Sequence, residues 1–350
     1  MTTSASTRDA SATRIQPPTP PALGVVIAGT GCHYPERKLT NKDLESFMDT
    51  SDEWITQRTG IRERRICDPR KGESVISLCT EALKRALDDA KMNVNDLDLL
   101  IVGTVTGEMT CPSTACRVLA NLGSKTTAGF DILAACCGFV YGLNTAYDMI
   151  RVGTYKNVGV VGCDVMTRVV DYGNRSISIL FGDAAGAAIL SATDDTSRGR
   201  LAGGLHADGS RWHDLYIPRS EFDYPEGVER TTTSTSSLQM NGREVYRFAV
   251  GTFSTLIGDT LEQAGLKVSD IDMFVCHQSN ARMLESARSR LGIPEEKMYI
   301  NIDRFGNCSA GSVPLCLDEL RKQGKCQEGD RVMFVAFGGG LTWGSSLWRL

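Results

Sequence analysis

A stretch of the chain occurs twice, and this repeat restricts the fold more than any other feature of the sequence. Residues 86–102, ALDDAKMNVNDLDLLIV, resemble residues 260–276, TLEQAGLKVSDIDMFVC, at a separation of 174 residues. Each copy has apolar residues at helical spacing, then a polar turn, then a continuous apolar run typical of a strand buried on both faces. The sequence therefore predicts a helix–turn–strand unit in each half of the chain.

The similarity continues beyond this unit. YKNVGVVGCD and GDRVMFVAFGGG are strand-like at nearly the same offset, and between them FDILAACCG and YINIDRFGNCSAG each predict a strand followed by a helix start. We therefore interpret the chain as two duplicated α/β halves, at residues 23–195 and 196–350. Residues 1–22, rich in Ser, Thr, Pro and Ala, are predicted to form a disordered tail.

Composition argues against several classes of function. The chain is 41% hydrophobic and 23% charged, which is typical of a soluble globular protein, and its net charge of −4 offers no broad basic field for nucleic acid. No apolar run approaches the ~20 residues that span a bilayer. The twelve cysteines include no CxxC pair, and no trio of His and acidic residues has metal-ligand spacing. We expect a cytoplasmic protein with reduced cysteines, without a membrane, nucleic-acid or metal partner.

Reactive side chains follow predicted strands in both halves. They are Cys136 and Cys137 after a strand at 130–135, His277 after 273–276, Asn307 after 299–302, and the glycines 338–340 after 332–337. Because α/β sheets place ligand sites at the carboxyl ends of their strands, we expect these residues to converge on one site.

These residue types suggest thioester chemistry. A thiol at a helix N-terminus faces the positive end of the helix dipole, which favours the thiolate that attacks thioesters. A Gly-rich turn can direct a backbone N–H at an oxyanion, and Asn can donate to an enolate oxygen. Papain-like proteases use Cys, His and Asn as well, so the set alone is ambiguous. Adjacent helix residues point about 100° apart, so Cys136 and Cys137 cannot both enter one pocket.

From about Gly24 to Leu350 the chain resembles the 3-oxoacyl-(acyl-carrier-protein) synthase III family of condensing enzymes. The matching pieces are TSDEWITQRTGIRERR (50–65), PSTAC (112–116), AACCGF (134–139), FGDAAGAA (181–188), HADGS (206–210), HQSNARM (277–283), GNCSAGSVP (306–314) and FGGGLTWGS (337–345). The resemblance implies a thiolase-like, five-layered α/β fold of two duplicated halves, usually assembled as a homodimer.

The family pattern assigns catalytic roles. Its nucleophile is followed by one residue, usually a small one, and then by Gly-Phe. In AACCGF this position is Cys136, and Cys137 takes the place of the small residue. The resemblance implies that His277 and Asn307 bind the malonyl thioester carbonyl and stabilise the carbanion. The backbone N–H groups of Cys136 and Gly339 would form the oxyanion hole. A degradative thiolase would use a second cysteine near Cys308, but this position usually holds a small residue, so we interpret Cys308 as packing.

The resemblance also implies where coenzyme A binds. Trp54 and Arg175 match positions that sandwich its adenine. Arg58 and Asn280 match neighbours of its phosphate and pantetheine path.

Two further substrate contacts are implied. Arg247 and Arg282 match basic positions near the mouth of the family's substrate tunnel, where the acidic carrier protein docks. Cys111 occupies a position that in several acetyl-using relatives holds a bulky aromatic, which reaches across the dimer interface and closes the acyl pocket. A smaller residue there predicts a pocket that accepts a longer or branched primer.

The predicted reaction is the decarboxylative condensation of an acyl-CoA primer with malonyl-acyl carrier protein through acyl-Cys136, which initiates fatty-acid or related polyketide-type synthesis. No cofactor is expected, since coenzyme A thioesters are substrates. One alternative is a non-condensing acyltransferase of specialised metabolism, although such relatives often replace Asn307. A less favoured alternative is a Cys–His–Asn hydrolase. A 3-hydroxy-3-methylglutaryl synthase would need a glutamate in the region of Glu108, but the long carboxyl-terminal part of that family is missing.

Overall fold

The computed structural model describes residues 22–227, 230 and 236–350. The tail predicted at residues 1–22 therefore lies, apart from Ala22, outside the described residues. The strands are β1 (Gly24–His33), β2 (Lys38–Thr40), β3 (Glu63–Arg65), β4 (Leu99–Gly103), β5 (Ala128–Ile132), β6 (Asn157–Val165), β7 (Asp183–Thr193), β8 (Gly199–Ala207), β9 (Leu215–Tyr216), β10 (Gln239–Met240), β11 (Met273–Cys276), β12 (Arg331–Gly338) and β13 (Thr342–Arg349). The α-helices are α1 (Asn41–Glu45), α2 (Asp52–Thr59), α3 (Val75–Ala90), α4 (Thr114–Asn121), α5 (Gly138–Arg151), α6 (Arg175–Ser178), α7 (Gly242–Ala264), α8 (Ala281–Leu291), α9 (Ile302–Phe305) and α10 (Ser312–Lys322).

Two mixed sheets form the framework. The first has the strand order β1-β7-β6-β4-β5, in which β4 is parallel to β5 and β6, and β7 is antiparallel to both of its neighbours. The second has the order β11-β12-β13-β8, in which β11 and β12 are parallel and β13 is antiparallel to both of its neighbours. Parallel strands end at the same edge of a sheet, so the residues that follow them are brought together.

The helices and sheets stack in five layers. Helix α3 packs on the outer face of the first sheet, and α7 packs on the outer face of the second with α8 beside it. Helices α5 and α10 lie between the two sheets and contact both. Their apolar side chains, including Phe139, Leu143 and Leu317, are fully buried, as expected for helices that are covered on both sides.

The backbone reproduces the sequence repeat at the same separation. Equivalent elements begin 174 residues apart. They are the 3₁₀ turns that begin at Val94 and Val268, the strands β4 and β11, the strands β6 and β12, and the helices α5 and α10. This is the five-layered arrangement of two duplicated halves that the resemblance implies. The boundary predicted at residues 195/196 lies between β7 and β8, and the exact division of the chain stays a prediction.

Each half contains the same sharp turn before its central helix. Ala135 and Ser309 open these turns with φ of 46° and 48°, a left-handed conformation that residues other than glycine adopt rarely. The two turns contact each other between the halves. The turns can pack this closely because Gly162 of β6 has no side chain. A Cβ at this position would lie 2.1 Å from the Ala310 carbonyl oxygen. The turns consequently meet where both sheets end.

One predicted strand is wrong. Residues 299–302 form no strand: Met298 makes an isolated bridge to Phe274, and Ile302 begins α9. The reason is a buried side chain, because the Asn301 N–H donates to Gln278 Oε1 at 3.1 Å instead of to a neighbouring strand. Asn307 therefore follows a short helix rather than a strand.

Candidate active site

A cavity of about 890 Å³ opens where the two turns meet. Its walls come from both halves and include Cys136 from the first half and His277, Asn307 and Gly339 from the second. The structure therefore brings together the four residues that the sequence places in the catalytic and oxyanion roles. Apolar side chains, among them Met109, Leu133, Val169, Ile217 and Leu238, line much of the remaining surface.

The two adjacent cysteines differ in direction. Cys136 lies on the turn before α5 and lines the cavity, with 8% of its surface exposed. Cys137 is fully buried in the core between the sheets, and its Sγ donates to the Thr342 carbonyl at 3.5 Å. Only the Cys136 sulfur is therefore available to a substrate.

Burial controls the protonation of Cys136. It raises the pKa of the thiol to about 12, and the negative charge of Asp164 acts in the same direction. The Ser309 hydroxyl, whose Oγ lies 3.4 Å from Sγ, lowers the pKa but does not cancel this effect. The thiol is therefore protonated at neutral pH, and the thiolate expected from its place before a helix is outweighed by burial.

His277 directly follows β11, and its ring is almost completely buried. Burial lowers the pKa of the imidazole to about 3, so the ring is neutral at pH 7. Its Nδ1 lies 2.8 Å from Ser312 Oγ, which also lies 2.9 Å from the Ser309 carbonyl oxygen. The hydroxyl has a single proton for these two acceptors. When it donates to Nδ1, the ring proton is on Nε2 and can be donated into the cavity.

Asn307 is held by main-chain and side-chain hydrogen bonds. Its N–H donates to the Leu180 carbonyl at 2.8 Å, and its carbonyl accepts from the Gly182 N–H at 3.0 Å. Its Oδ1 accepts from the Ser309 N–H at 2.8 Å. This orientation of the amide leaves Nδ2, with its two protons, as the group that can donate to a substrate.

The end of β12 approaches the Cys136 turn closely. A Cβ on Gly338 would lie 2.7 Å from the Cys136 nitrogen, and one on Gly339 would lie 2.9 Å from the Leu215 carbonyl oxygen. Glycine is required here because the backbone itself fills the space. Amides at the start of a helix have no partner within it, so the Cys136 N–H can serve an oxyanion beside Gly339.

Of the residues expected to bind coenzyme A, Trp54, Arg58 and Asn280 line the cavity, and Arg175 lies beside Trp54 without lining it. The guanidinium groups of Arg58 and Arg175 lie 4.4 and 4.9 Å from the ring centre of Trp54. Arg175 also donates to the Asp49 carbonyl. Asn280 caps α8 and its Nδ2 donates to the Arg58 carbonyl at 3.1 Å, which joins α2 of the first half to α8 of the second.

Besides Arg175, three of the expected residues lie outside the cavity wall. Cys111 is exposed and is not among the lining residues. Arg247 is exposed on α7, where it pairs with Glu244 at 2.7 Å and lines a separate groove of about 780 Å³. Arg282 is exposed at the start of α8, two residues after Asn280. Their roles as pocket end and docking residues stay predictions.

Sequence reasoning missed three polar residues beneath the site. Ser309 contacts Cys136, Ser312 contacts His277, and the fully buried Asp164 lies near the end of β6, next to the turn of Ser309. A signal existed for Asp164, because a charged residue interrupts an otherwise apolar buried strand. The two serines carry no comparable signal, since Ser is common at turns and helix starts.

The described part of the chain offers neither a cluster of metal ligands nor a helix that could span a membrane. Residues 22–227, 230 and 236–350 contain no group of three or more His, Cys, Asp and Glu side chains placed to hold a metal ion. None of the helices described in these ranges combines the length and apolar character needed to cross a membrane.

Known proteins are similar to this chain in sequence and in fold. Residues 130–209 match the family model of 3-oxoacyl-[acyl-carrier-protein (ACP)] synthase III, and residues 261–350 match the model of its C-terminal part. The beta-ketoacyl-[acyl-carrier-protein] synthase III of Caldanaerobacter subterraneus subsp. tengcongensis is 46% identical over 321 residues, which cover 92% of this chain and 96% of that protein.

Solved structures agree with the sequence comparison. The crystal structure of 3-oxoacyl-[acyl-carrier-protein] synthase III from Aquifex aeolicus VF5 matches with a TM-score of 0.85 and 40% identity, covering 94% of this chain and 100% of that one. The priming beta-ketosynthase from the R1128 polyketide biosynthetic pathway matches with a TM-score of 0.86 and 35% identity, covering 94% and 97%. With 46% identity to a relative over 92% of its length, the chain belongs to the 3-oxoacyl-(acyl-carrier-protein) synthase III family and has its thiolase-like α/β fold.

Proposed function

We propose that this protein condenses an acyl-CoA primer with malonyl-acyl carrier protein, with loss of CO₂, through an acyl thioester on Cys136. The observation that carries the proposal is the meeting of Cys136, His277 and Asn307 in one largely apolar cavity. The relatives named beta-ketoacyl-[acyl-carrier-protein] synthase III support it, because they match nearly the whole chain. A beta-ketoacyl-[acyl-carrier-protein] synthase III and a priming beta-ketosynthase of a polyketide pathway are both among the similar proteins.

The first half-reaction transfers the acyl group to Cys136. The primer enters past Trp54, and its carbonyl oxygen accepts from the N–H groups of Cys136 and Gly339. The sulfur attacks the carbonyl carbon, the bond to the coenzyme A sulfur breaks, and the thiol proton of Cys136 ends on the departing coenzyme A. Arg175 must move away from Trp54 to admit a planar base, since its guanidinium now lies over the ring.

The second half-reaction uses two hydrogen-bond donors from the C-terminal half of the chain, His277 and Asn307. Nε2–H of His277 and Nδ2–H of Asn307 bind the malonyl thioester oxygen. As CO₂ leaves, negative charge moves to this oxygen and both hydrogen bonds strengthen. The carbanion attacks the acyl carbonyl, and the Cys136 sulfur departs as a thiolate that takes up one proton from solvent, so each condensation consumes one proton. Because both half-reactions take place on the Cys136 sulfur, the kinetics are ping-pong.

The same reasoning defines the components. Coenzyme A and carrier-protein thioesters are substrates, and the chemistry uses no cofactor or metal. We propose a cytoplasmic homodimer as the working form. In support, β5 is an edge strand of the first sheet, and Leu133, which follows it and lines the cavity, is 73% exposed in the single chain.

A non-condensing acyltransferase remains the second candidate. It would need only the first half-reaction, and its acceptor would replace the malonyl group. The fixed orientation of Asn307, with Nδ2 left to donate, favours condensation, because acyl transfer alone does not require a donor to an enolate. A hydrolase would release the primer acid without any CO₂. Measurement of CO₂ from malonyl-acyl carrier protein therefore separates the three activities.

The nucleophile can be tested at two adjacent positions. Cys136→Ala should abolish acyl-enzyme formation, while Cys137→Ala should retain it, because only the Cys136 sulfur lines the cavity. Intact-protein mass spectrometry after addition of acyl-CoA, followed by peptide mapping, detects the adduct. An acyl group mapped to Cys137 would overturn the assignment.

The role of Asn307 separates the half-reactions. Asn307→Ala should still accept an acyl group on Cys136, but CO₂ release should fall ~10²–10³-fold, the usual cost of one lost oxyanion donor. Asn121→Ala, at an exposed asparagine on α4, serves as the matched control and should retain both steps. Condensation by Asn307→Ala at nearly the wild-type rate would contradict the assigned role.

Carrier-protein docking predicts a selective effect of charge. Arg247→Glu and Arg282→Glu should each raise KM for malonyl-acyl carrier protein and spare acyl-CoA use, since an acidic partner is attracted by basic side chains. Arg290→Glu is the control, because this exposed arginine lies at the far end of α8, about 12 Å from Arg282. Equal effects on both substrates would argue against docking.

Primer length can be tested at Cys111. Cys111→Phe should suppress priming by longer acyl-CoAs and leave acetyl-CoA use intact, because the ring would fill the space proposed at the pocket end. Each excluded methylene removes ~0.8 kcal/mol of binding. Cys111→Ala is the control and should keep the wild-type range in a panel of acyl-CoAs. A wild type that takes only acetyl-CoA, unchanged by either substitution, would refute the wide pocket.

A further inference from the structure

Asp164 is a buried carboxylate that the reaction described above does not use. It lies near the end of β6 and is fully inaccessible to solvent. Its Oδ1 accepts from Thr104 Oγ1 at 3.0 Å, from the Val105 N–H at 2.9 Å and from Thr106 Oγ1 at 2.8 Å. One oxygen of the carboxylate therefore fixes the loop that leaves β4 and forms a wall of the cavity.

The other oxygen of Asp164 faces the second half of the chain. Oδ2 accepts from the Ala310 N–H at 3.3 Å, so the carboxylate holds the backbone of the turn directly after Ser309. No Lys or Arg of the described ranges lies within ion-pair distance of it. A buried carboxylate that is compensated by hydrogen bonds alone is costly, so its partners and their geometry must be well fixed.

Ser309 joins this carboxylate to the nucleophile. Its Oγ lies 3.4 Å from Cys136 Sγ, and its backbone is held in the left-handed conformation while its N–H donates to Asn307 Oδ1. The hydroxyl therefore donates its single proton to the Cys136 sulfur, from a turn whose backbone the carboxylate holds.

We propose that Asp164 and Ser309 form a positioning pair for acyl transfer: the carboxylate holds the turn of Ser309 and Ala310 through the Ala310 N–H, and the Ser309 hydroxyl holds the Cys136 sulfur at the start of α5. This inference rests on the proposed function, in which Cys136 carries the acyl group. While the sulfur is a thiol, the Ser309 hydroxyl already donates to it. When the thiol proton leaves with the coenzyme A sulfur, this hydrogen bond strengthens, because the Cys136 sulfur then carries more negative charge. No proton is transferred to Asp164.

The charged and titratable groups around Cys136 determine the sign of each effect. Asp164 faces it from β6, the neutral ring of His277 faces the same cavity after β11, and the buried thiol of Cys137 follows it on its own turn. Arg58 and Glu108 lie farther along the cavity wall. The carboxylate raises the pKa of Cys136 and the Ser309 hydroxyl lowers it. Loss of the Asp164 charge should therefore lower the pKa of the Cys136 thiol, and loss of the Ser309 hydroxyl should raise it. Acyl transfer should be slower in both variants.

The test uses Asp164→Asn and Ser309→Ala in the full-length protein. The readouts are the rate at which iodoacetamide alkylates Cys136, followed by peptide mass spectrometry from neutral to mildly alkaline pH, and the rate of acyl-adduct formation with acyl-CoA. Ser309→Ala should be alkylated about tenfold more slowly, and Asp164→Asn about tenfold faster, since a nearby charge or hydrogen bond shifts a pKa by about 1 or more. Both variants should acylate at least about tenfold more slowly.

A matched control is available in Asp183, which is equally buried and accepts from the N–H groups of Cys67 and Thr167 but contacts neither Ser309 nor Cys136. Asp183→Asn should lower the melting temperature without changing the alkylation profile of Cys136. An equal change in Asp183→Asn, or alkylation shifted in the same direction in Asp164→Asn and Ser309→Ala, would overturn the pair.

Two outcomes need separate treatment. If Asp164→Asn does not fold, Ser309→Ala and Ser309→Gly decide: wild-type alkylation and acylation rates in both would overturn the pair, and slowed rates would support it. If the wild-type protein is alkylated at Cys136 but never acylated, the proposed function fails, whereas opposite alkylation shifts would still establish that the pair controls the sulfur.

Discussion

The close seating of the two strand-to-helix turns is the constraint on which the site depends. Gly162 of β6 lets the Ala310 carbonyl approach to a distance at which any side chain would collide. A larger residue there would push the two turns apart, and cores tolerate such overpacking poorly. The separation between Cys136 and the donors of the second half is therefore fixed by backbone packing rather than by the catalytic side chains themselves.

Burial then sets the charge state of the site. It raises the pKa of Cys136 to about 12 and lowers that of His277 to about 3, so both groups are neutral at pH 7. An apolar cavity can hold two neutral groups without the cost of an uncompensated charge. Charge develops only with a substrate, at positions where N–H groups are already directed. Asp164 is the buried acid beneath the site, and its charge adds to the effect of burial in keeping the Cys136 thiol protonated.

The sequence predicted the parts of the fold that repeat, and the reasons for its failures are physical. The copies around Val94 and Val268 located equivalent turns, and strands and helices recur at the same spacing because the backbone is duplicated. The strand predicted at 299–302 does not form, because the Asn301 N–H donates to the side chain of Gln278, which is distant in sequence. Trp54 and its neighbours were accessible only through the family resemblance. Asp164 and Ser309 were missed because their partners belong to the opposite half of the chain.

The duplication also explains why the two turns differ in chemistry. At the separation of 174 residues, Asp164 corresponds to Gly338, and each reaches the turn of the opposite half. The Asp164 carboxylate accepts from the Ala310 N–H, which corresponds in position to the N–H of Cys136. Gly338 approaches the Cys136 nitrogen without any side chain that could accept from it. One amide is thus satisfied by the protein, whereas the equivalent amide is left for a substrate oxygen.

The same correspondence relates Gly103 and Gly138 to His277 and Ser312. In the first half the two glycines touch, since a Cβ on Gly103 would lie 2.4 Å from the Gly138 carbonyl carbon, and no side chain can enter between strand and helix. In the second half the equivalent pair forms the hydrogen bond that holds the imidazole. The two copies of the backbone therefore have different roles. The first presents a nucleophile on a closely packed turn, and the second leaves room at the equivalent position for an imidazole that donates a proton.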